Sequence, residues 1–455
     1  MTAVLDRTGA FARVTGAELR VPLVQGGTRA YANFDYAASA PALAQVSDRV
    51  AELLPYYASV HRGAGYASRI STQCYEAARD TVSRFLGCAD DQVVVFTRNT
   101  TDALNLLAGC VPGDTVVLDI EHHANLLAWE RRGRRVVRAA DTVAETLRRL
   151  AAELCAKPAA LLAVTGASNV TGEVLPLERL AELAHQCGAR ILVDAAQLAP
   201  HRRIDLHATG IDYLVLSGHK LYAPFGAGVL AGRRDWLDTA APYLSGGGAV
   251  REVTVDGTQW ASAPQRHEAG SPNVLGAAAL ARACEVLAEL GPDAEAHERS
   301  LTHRLRTGLA AISGVECLRI WRPTAGNSGS ATRAGAAGGD LGEVDSVGIV
   351  AFTVDGFEPG KVAAYLSAEY GIGVRDGRFC AHPLLARLGV DAAVRASIGL
   401  GTTPQDIDRL LEAVTALVAH GPRWNYACDT GRWDPLPETR PGLAATGAGT
   451  APCAV

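Results

Sequence analysis

Ile191-Leu192-Val193-Asp194-Ala195-Ala196-Gln197 and, one segment later, Tyr213-Leu214-Val215-Leu216-Ser217-Gly218-His219-Lys220 decide how this chain folds. Each is a short aliphatic run that gives way to polar or titratable groups. Runs of this length that are apolar throughout read as strands buried on both faces, the kind that parallel sheets wrapped by helices contain. Working outward, Val93-Val94-Val95-Phe96, Val116-Val117-Leu118, Leu161-Leu162-Ala163-Val164 and Val229-Leu230 have the same texture. Helical patterns separate them. After Pro176, which suits a first turn, Leu177, Leu180, Leu183, Ala184 and Cys187 form an apolar stripe that Gly188 can close, which predicts that Cys187 is a core residue. This alternation predicts an α/β chain. Asp194 and Lys220 then stand at the ends of neighbouring strands, at the carboxyl edge where open α/β sheets hold ligands.

The C-terminal part has a different texture and predicts a smaller α+β domain. A strand is expected over Val347–Val354, a helix over Pro359–Tyr370, a strand around Val374 and an amphipathic helix over Pro404–Val418, with Thr403 and Asp406 as its capping box. The domain organisation expected is an N-terminal segment over 1–30, a large domain over 31–280, a small domain over 281–422 and a partly disordered tail over 423–455. The Gly, Ala and Ser-rich stretch 323–342 reads as a flexible insertion in the small domain. Cys453, in the tail, is expected to be a bystander thiol.

The 455 residues carry 43 Lys and Arg against 48 Asp and Glu, a formal net charge of -5. That balance argues against a nucleic-acid partner, and the basic run Arg131-Arg132-Gly133-Arg134-Arg135 reads as a solvated turn. No apolar run is long enough to span a bilayer, and no signal-peptide core follows Arg7 or Arg13. The 10 cysteines lack the paired spacing of a zinc site or a disulfide framework. A reducing cytoplasm is the expected location.

Taken by themselves, the polar residues permit more than one reading. A lysine beside a strand end can bond a carbonyl cofactor, or simply sit on a loop. Asp194 can pair with a pyridinium nitrogen, or cap a helix. Arg98-Asn99-Thr100-Thr101-Asp102 opens a helix after a strand, which makes it either a phosphate site or an ordinary cap. In Glu121-His122-His123-Ala124-Asn125 an imidazole can stack on an aromatic ligand. The spacing is not that of a metal-binding HExxH helix, so stacking by His122 is the preferred role and no metal is expected.

Read in order, these segments resemble the aminotransferase class V family, and within it the SufS-like cysteine desulfurases and selenocysteine lyases. The resemblance runs from about Tyr31 to Val418. It rests on Asp35-Tyr36-Ala37-Ala38-Ser39, Val60-His61-Arg62-Gly63, Asn99-Thr100-Thr101, the His122 run, Ser168-Asn169-Val170, Val193–Gln197, Ser217–Tyr222, Glu268–Asn273, Arg375–Ala381 and Arg395-Ala396-Ser397. It implies a homodimer of fold type I, with a mainly parallel seven-stranded sheet, and pyridoxal 5'-phosphate as cofactor. Lys220 would hold the cofactor covalently, Asp194 would pair with its ring nitrogen, Gln197 with its hydroxyl, and His122 would stack on it. Thr101, Ser217 and His219 would hold the phosphate, with Thr100 beside them, and Gly270 and Ser271 would reach it from the second subunit. Asn169 and Arg395 would bind the amino-acid substrate, together with His61, Arg62 and Arg375. Cys380 would be the catalytic thiol, with Arg375 and Arg378 near enough to favour its thiolate.

The implied activity converts L-cysteine to alanine, leaves a persulfide on Cys380 and passes the sulfur to a protein acceptor. Two departures bear on it. Phe379 stands where the family often has a histidine before the cysteine, and Gly65 stands where a second histidine often follows the His61-Arg62-Gly63 run. His382 offers a replacement proton donor or is a plain loop residue. The same scaffold also supports C–S β-lyases, epimerases and aminotransferases acting on a specialised amino acid, and an idle scaffold protein is a third reading.

Overall fold

A computed structural model describes residues 10–322 and 344–441 of the chain. The expected insertion 323–342 and the end of the tail with Cys453 lie outside the described residues. Seven strands form the main sheet: β1 (Gln92–Thr97), β2 (Thr115–Leu118), β3 (Arg134–Val137), β4 (Leu161–Thr165), β5 (Arg190–Asp194), β6 (Tyr213–Ser217) and β7 (Gly228–Arg233), in the order β1-β7-β6-β5-β4-β2-β3. All pairings are parallel except those of β7, which runs antiparallel to both neighbours. β4, β5 and β6 are buried at nearly every position, which is why their sequences are apolar without alternation.

Among the helices around this sheet are α1 (Thr100–Cys110), α2 (Val143–Ala156) and α3 (Leu177–Gln186). The long helix α4 (Val274–Ala310) kinks at Gly291, which has φ +57°, just before Pro292. Its first half packs on the helix Tyr66–Phe85 and its second half continues into the small sheet. That sheet has four strands, β8 (Val315–Cys317), β9 (Ile349–Val354), β10 (Arg375–Gly377) and β11 (Ala393–Ser397), in the order β8-β9-β11-β10. Helices α5 (Pro359–Tyr370), α6 (His382–Arg387) and α7 (Pro404–His420) complete this part. Phe34, Phe352, Leu366, Val394, Leu410 and Val414 lie in one buried cluster there. The capping box of α7 is present as expected, with Thr403 Oγ1 accepting from the Asp406 amide at 3.1 Å.

Four expectations need correction. Arg134 and Arg135 begin the edge strand β3 and do not sit in a turn, which is confined to the residues before them. Arg134 donates to the Leu126 carbonyl and pairs with Glu130, and Arg135 pairs with Glu153 and Asp114, so both cations have partners within the chain. Cys187 is only half-buried: it packs against the main core from the end of α3 and also faces Cys155, so the stripe of the helix is fully buried only as far as Ala184. Residues 425–436 are an antiparallel hairpin, Asn425–Asp429 with Arg432–Leu436, seated on α5 through Lys361 over the Trp433 ring. Finally, Ala32–Asn33, expected to open the large domain, pairs in parallel with Ile372–Gly373 beside the small sheet.

Candidate active site

The carboxyl ends of the large sheet's strands meet β10, β11 and the Cys380 turn around a cavity of about 420 Å³. The sheet register sets one wall. Gly228 of β7 lies opposite both Thr97 of β1 and Ser217 of β6. A Cβ on Gly228 would come within 2.5 Å of the Asn99 Cα, so only glycine lets the cap of α1 come this close. With that approach the Thr100 amide donates to Ser217 Oγ at 2.8 Å, and the two hydroxyls meet at 2.7 Å. Thr100, Thr101, Ser217 and His219 therefore share one corner, at the N-terminus of an 11-residue helix. Such a corner favours an anion.

Asp194 and Gln197 form the floor, each only 4% exposed. Asp194 accepts from the Ala196 amide at 3.0 Å, and burial holds its pKa above the usual carboxylate range. Gln197 donates to the Ala37 carbonyl at 2.7 Å, while its Oε1 is buried without a hydrogen-bond partner. An orphaned amide oxygen beside a desolvated carboxylate suits a ligand that brings a hydroxyl and a protonated ring nitrogen. Lys220 lines the same cavity, and burial lowers its pKa to about 8.

His122 lines the cavity, whereas the neighbouring His123 points elsewhere. Burial, then Lys220, push the His122 pKa down to about 3, so the ring is neutral. Its Nδ1 accepts from the Ala124 amide at 3.1 Å, which leaves the proton on Nε2. Among the described residues, no group of three or more His, Cys, Asp or Glu is placed to hold a metal.

The opposite wall is the Cys380 turn. Phe379 and Cys380 both have φ +52°, two consecutive non-glycine residues in the left-handed region. Such strain persists only where the surroundings hold it. Here Asn169 Nδ2 donates to the Phe379 carbonyl at 2.8 Å, and the His123 amide donates to the Cys380 carbonyl at 2.9 Å. Arg395, 3% exposed, donates to the Asn169 carbonyl and to Asp35, and its guanidinium lies 5.3 Å from the Phe379 ring centroid. Its Nε is buried without a partner, a donor available to a carboxylate. Arg375, Arg378 and Cys380 face the same cavity.

Most of the expected site residues thus come together: Lys220, Cys380, His122, Thr100, Thr101, Asp194, Gln197, Ser217, His219, Asn169, Arg375 and Arg395. His61, Arg62 and Gly270 do not. They line a separate cleft of about 180 Å³ with Tyr75 and Glu268, and Ser271 is exposed next to Gly270. Glu268 anchors that cleft to β1 by accepting from the Phe96 amide at 2.7 Å and pairing with Arg79. His382 is not in the cavity wall. Its ring packs edge-on to His123 at 4.5 Å, and its amide donates to His123 Nε2 at 3.3 Å. Sequence reasoning gave Asp35 no role, although it is the ion-pair partner of Arg395 at 3.2 Å. A lone acidic residue in a loop carries no signal of a partner 360 positions away.

A lysine and a buried carboxylate stand at neighbouring strand ends, and an anion-favouring corner shares their cavity, an arrangement suited to an enzyme. The chain belongs to the aminotransferase class-V family, whose model matches residues 32–332 and 340–410, and its fold is fold type I. Within it, a cysteine desulfurase of Dickeya dadantii is 37% identical over 404 residues, covering 85% of this chain and 92% of that protein. The S-sulfonic acid form of the cysteine desulfurase CsdA from Escherichia coli superposes with a TM-score of 0.72 at 34% identity, over 84% of this chain and 94% of that one. The apo cysteine desulfurase of Thermococcus onnurineus gives a TM-score of 0.76 at 31% identity, over 89% of this chain and 98% of that one.

Proposed function

We propose that this chain is a pyridoxal-phosphate-dependent cysteine desulfurase that converts L-cysteine to alanine, holds the sulfur as a persulfide on Cys380 and hands it to a protein acceptor. The observation that carries the reading is that Lys220 and Cys380 open on one cavity, between the buried guanidinium of Arg395 and the buried carboxylate of Asp194. The orphaned Gln197 Oε1, the desolvated Asp194 and the hydroxyl corner at α1 fit the cofactor's hydroxyl, ring nitrogen and phosphate. When bound, pyridoxal phosphate supplies an electrophilic carbonyl carbon and a protonated ring that draws electrons from the amino acid's α-carbon.

Each residue then has a task set by its surroundings. Asp194, uncomfortable as a buried anion, favours a cation beside it and so keeps a ring nitrogen protonated. Lys220, with its pKa near 8, is neutral in a useful fraction of molecules near neutral pH and moves the proton at the substrate α-carbon. Arg395 holds the α-carboxylate through its unpartnered Nε, while Asn169 and Asp35 fix its plane. His122, neutral and with its tautomer set, offers a flat face without adding charge. Cys380 as thiolate attacks the substrate sulfur: an S–S bond forms, the Cβ–S bond breaks, and its electron pair stays with the carbon fragment that leaves as alanine.

The protein works as a homodimer in a reducing cytoplasm, and the second copy brings His61, Arg62, Gly270 and Ser271 to the cavity of the first. Those residues lie in a cleft apart from Lys220 within one chain, which supports this arrangement. Phe379, packed on Arg395 where a histidine often stands, is the observation that favours a second reading, in which the substrate is a more specialised amino acid.

The test measures sulfide and alanine together from the cofactor-loaded protein with L-cysteine and a reductant. Equal yields in wild type, lost at least 100-fold in Cys380→Ala with the cofactor's visible absorbance retained, are the expected result (on the order of a catalytic nucleophile's contribution). Undiminished turnover in Cys380→Ala, or loaded protein that forms neither product, would overturn the reading.

A further inference from the structure

Two thiols meet at the edge of the molecule opposite the cavity. Cys155 lies in the last turn of α2 and Cys187 follows the last turn of α3, and their Sγ atoms are 2.7 Å apart. Cys155 is exposed and Cys187 half-buried. α2 leads into β4 and α3 into β5, so the pair sits beyond the amino ends of two adjacent parallel strands, whereas Asp194 ends β5 at its carboxyl side. Both helices are anchored: Leu147, Leu150 and Leu154 of α2 and Leu177, Leu180 and Ala184 of α3 lie in the main core. The sulfurs are therefore held together by the fold and need move little to bond, since a bonded pair lies about 2.05 Å apart.

We propose that Cys155 and Cys187 form a second sulfur-reactive site, a dithiol that takes a low-molecular-weight disulfide and closes to an intramolecular disulfide. The order of events follows from exposure. Cys155 is open to solvent, while Cys187 is half-buried and its pKa is pushed up to about 11 by its hydrogen bond to Cys155. The Cys155 thiolate attacks the reagent disulfide RSSR, so that a mixed S–S bond forms and the first RS⁻ departs. Cys187 loses its proton and attacks the Cys155 sulfur, the intramolecular bond forms and the second RS⁻ departs. The cysteine pair is oxidised by two electrons, RSSR is reduced by two, and the two protons end on two RSH. The closed bond ties the ends of α2 and α3 and constrains the unfolded chain between them. No residue of the cavity takes part, so the site does not depend on the proposed activity.

The experiment treats the full-length, cofactor-loaded protein, first reduced and desalted, with oxidised glutathione. It reads intact mass, non-reducing peptide maps and thermal unfolding. The expected wild-type product is a peptide cross-linked through Cys155 and Cys187, without glutathione on either residue, and with a raised unfolding midpoint that dithiothreitol reverses. Cys187→Ser removes the resolving thiol and is expected to accumulate a stable glutathione adduct on Cys155; Cys155→Ser is expected to leave Cys187 unmodified. A persistent adduct on wild-type Cys155 with no cross-linked peptide, or no reaction of either thiol while other cysteines react, would overturn the proposal. Because the map assigns each modified cysteine, reaction at Cys380 is read separately.

Discussion

Glu121 directly precedes His122 and is fully buried, with Oε2 accepting from Asn125 Nδ2 at 2.8 Å and Oε1 without a partner. Burial raises its pKa from 4.5 to about 8. The folded protein therefore keeps the proton over a range where the unfolded chain has released it. The stabilisation is complete below the unfolded value and is lost as pH rises through the folded one. Wild type should lose stability by on the order of 1 kcal/mol per pH unit between about pH 5 and pH 8, relative to Glu121→Gln. Glutamine keeps the acceptor for Asn125 and has no proton to lose. Denaturation of both proteins across this range checks it, and parallel curves would show that Glu121 ionises normally. At this scale the sequence revealed residue types but not states. That His122 is a candidate for stacking was readable; that it is neutral, with its proton on Nε2, follows from burial and from the Ala124 amide.

Elements were readable where a pattern had a single physical cause. The α7 capping box is local, written in Thr403 and Asp406 three residues apart, and structure and sequence agree on it. Thr403→Ala should cost about 1 kcal/mol, because the Asp406 amide loses its acceptor; a lowered urea midpoint with unchanged m-value would register it. A Thr403→Ser control should recover most of the loss, which separates the hydroxyl from helix propensity. Elements that depend on distant partners were missed. β3 begins with two arginines; Glu130 matches Arg134 locally, but Asp114 and Glu153 meet Arg135 only once the sheet and α2 are in place. The 425–436 hairpin falls in the segment expected to be tail and is held by contacts with α5 and its N-cap, including Trp433 Nε1 to Glu358 at 3.1 Å. Cys187 followed a valid helical period and packs against the core, but at the end of α3 it is only half covered.

At the scale of the whole molecule, the cavity draws its walls from both sheets, and the cleft with Arg62 stands apart from it. If a second copy completes each site, subunits with different lesions should complement. Lys220→Ala and Arg62→Ala homodimers should each be impaired on L-cysteine, by 100-fold or more for Lys220→Ala (on the order expected for an acid–base group). After mixing and subunit exchange, heterodimers contain one site with an intact Lys220 and an intact Arg62, so activity should rise above the average of the parents. Activity equal to that average would place Arg62 in its own chain's site or outside the reaction. The sequence by itself determined the alternation of buried strands and helices, the order of the motif residues and the family, because apolar periodicity and local capping need only neighbours along the chain. Only the tertiary structure decided which of those residues share a cavity, that Phe379 packs on Arg395, that Asp35 holds that guanidinium, and that His61 and Gly270 stand elsewhere. Those outcomes depend on sheet order, register and strained turns, which residues far apart in the chain set together.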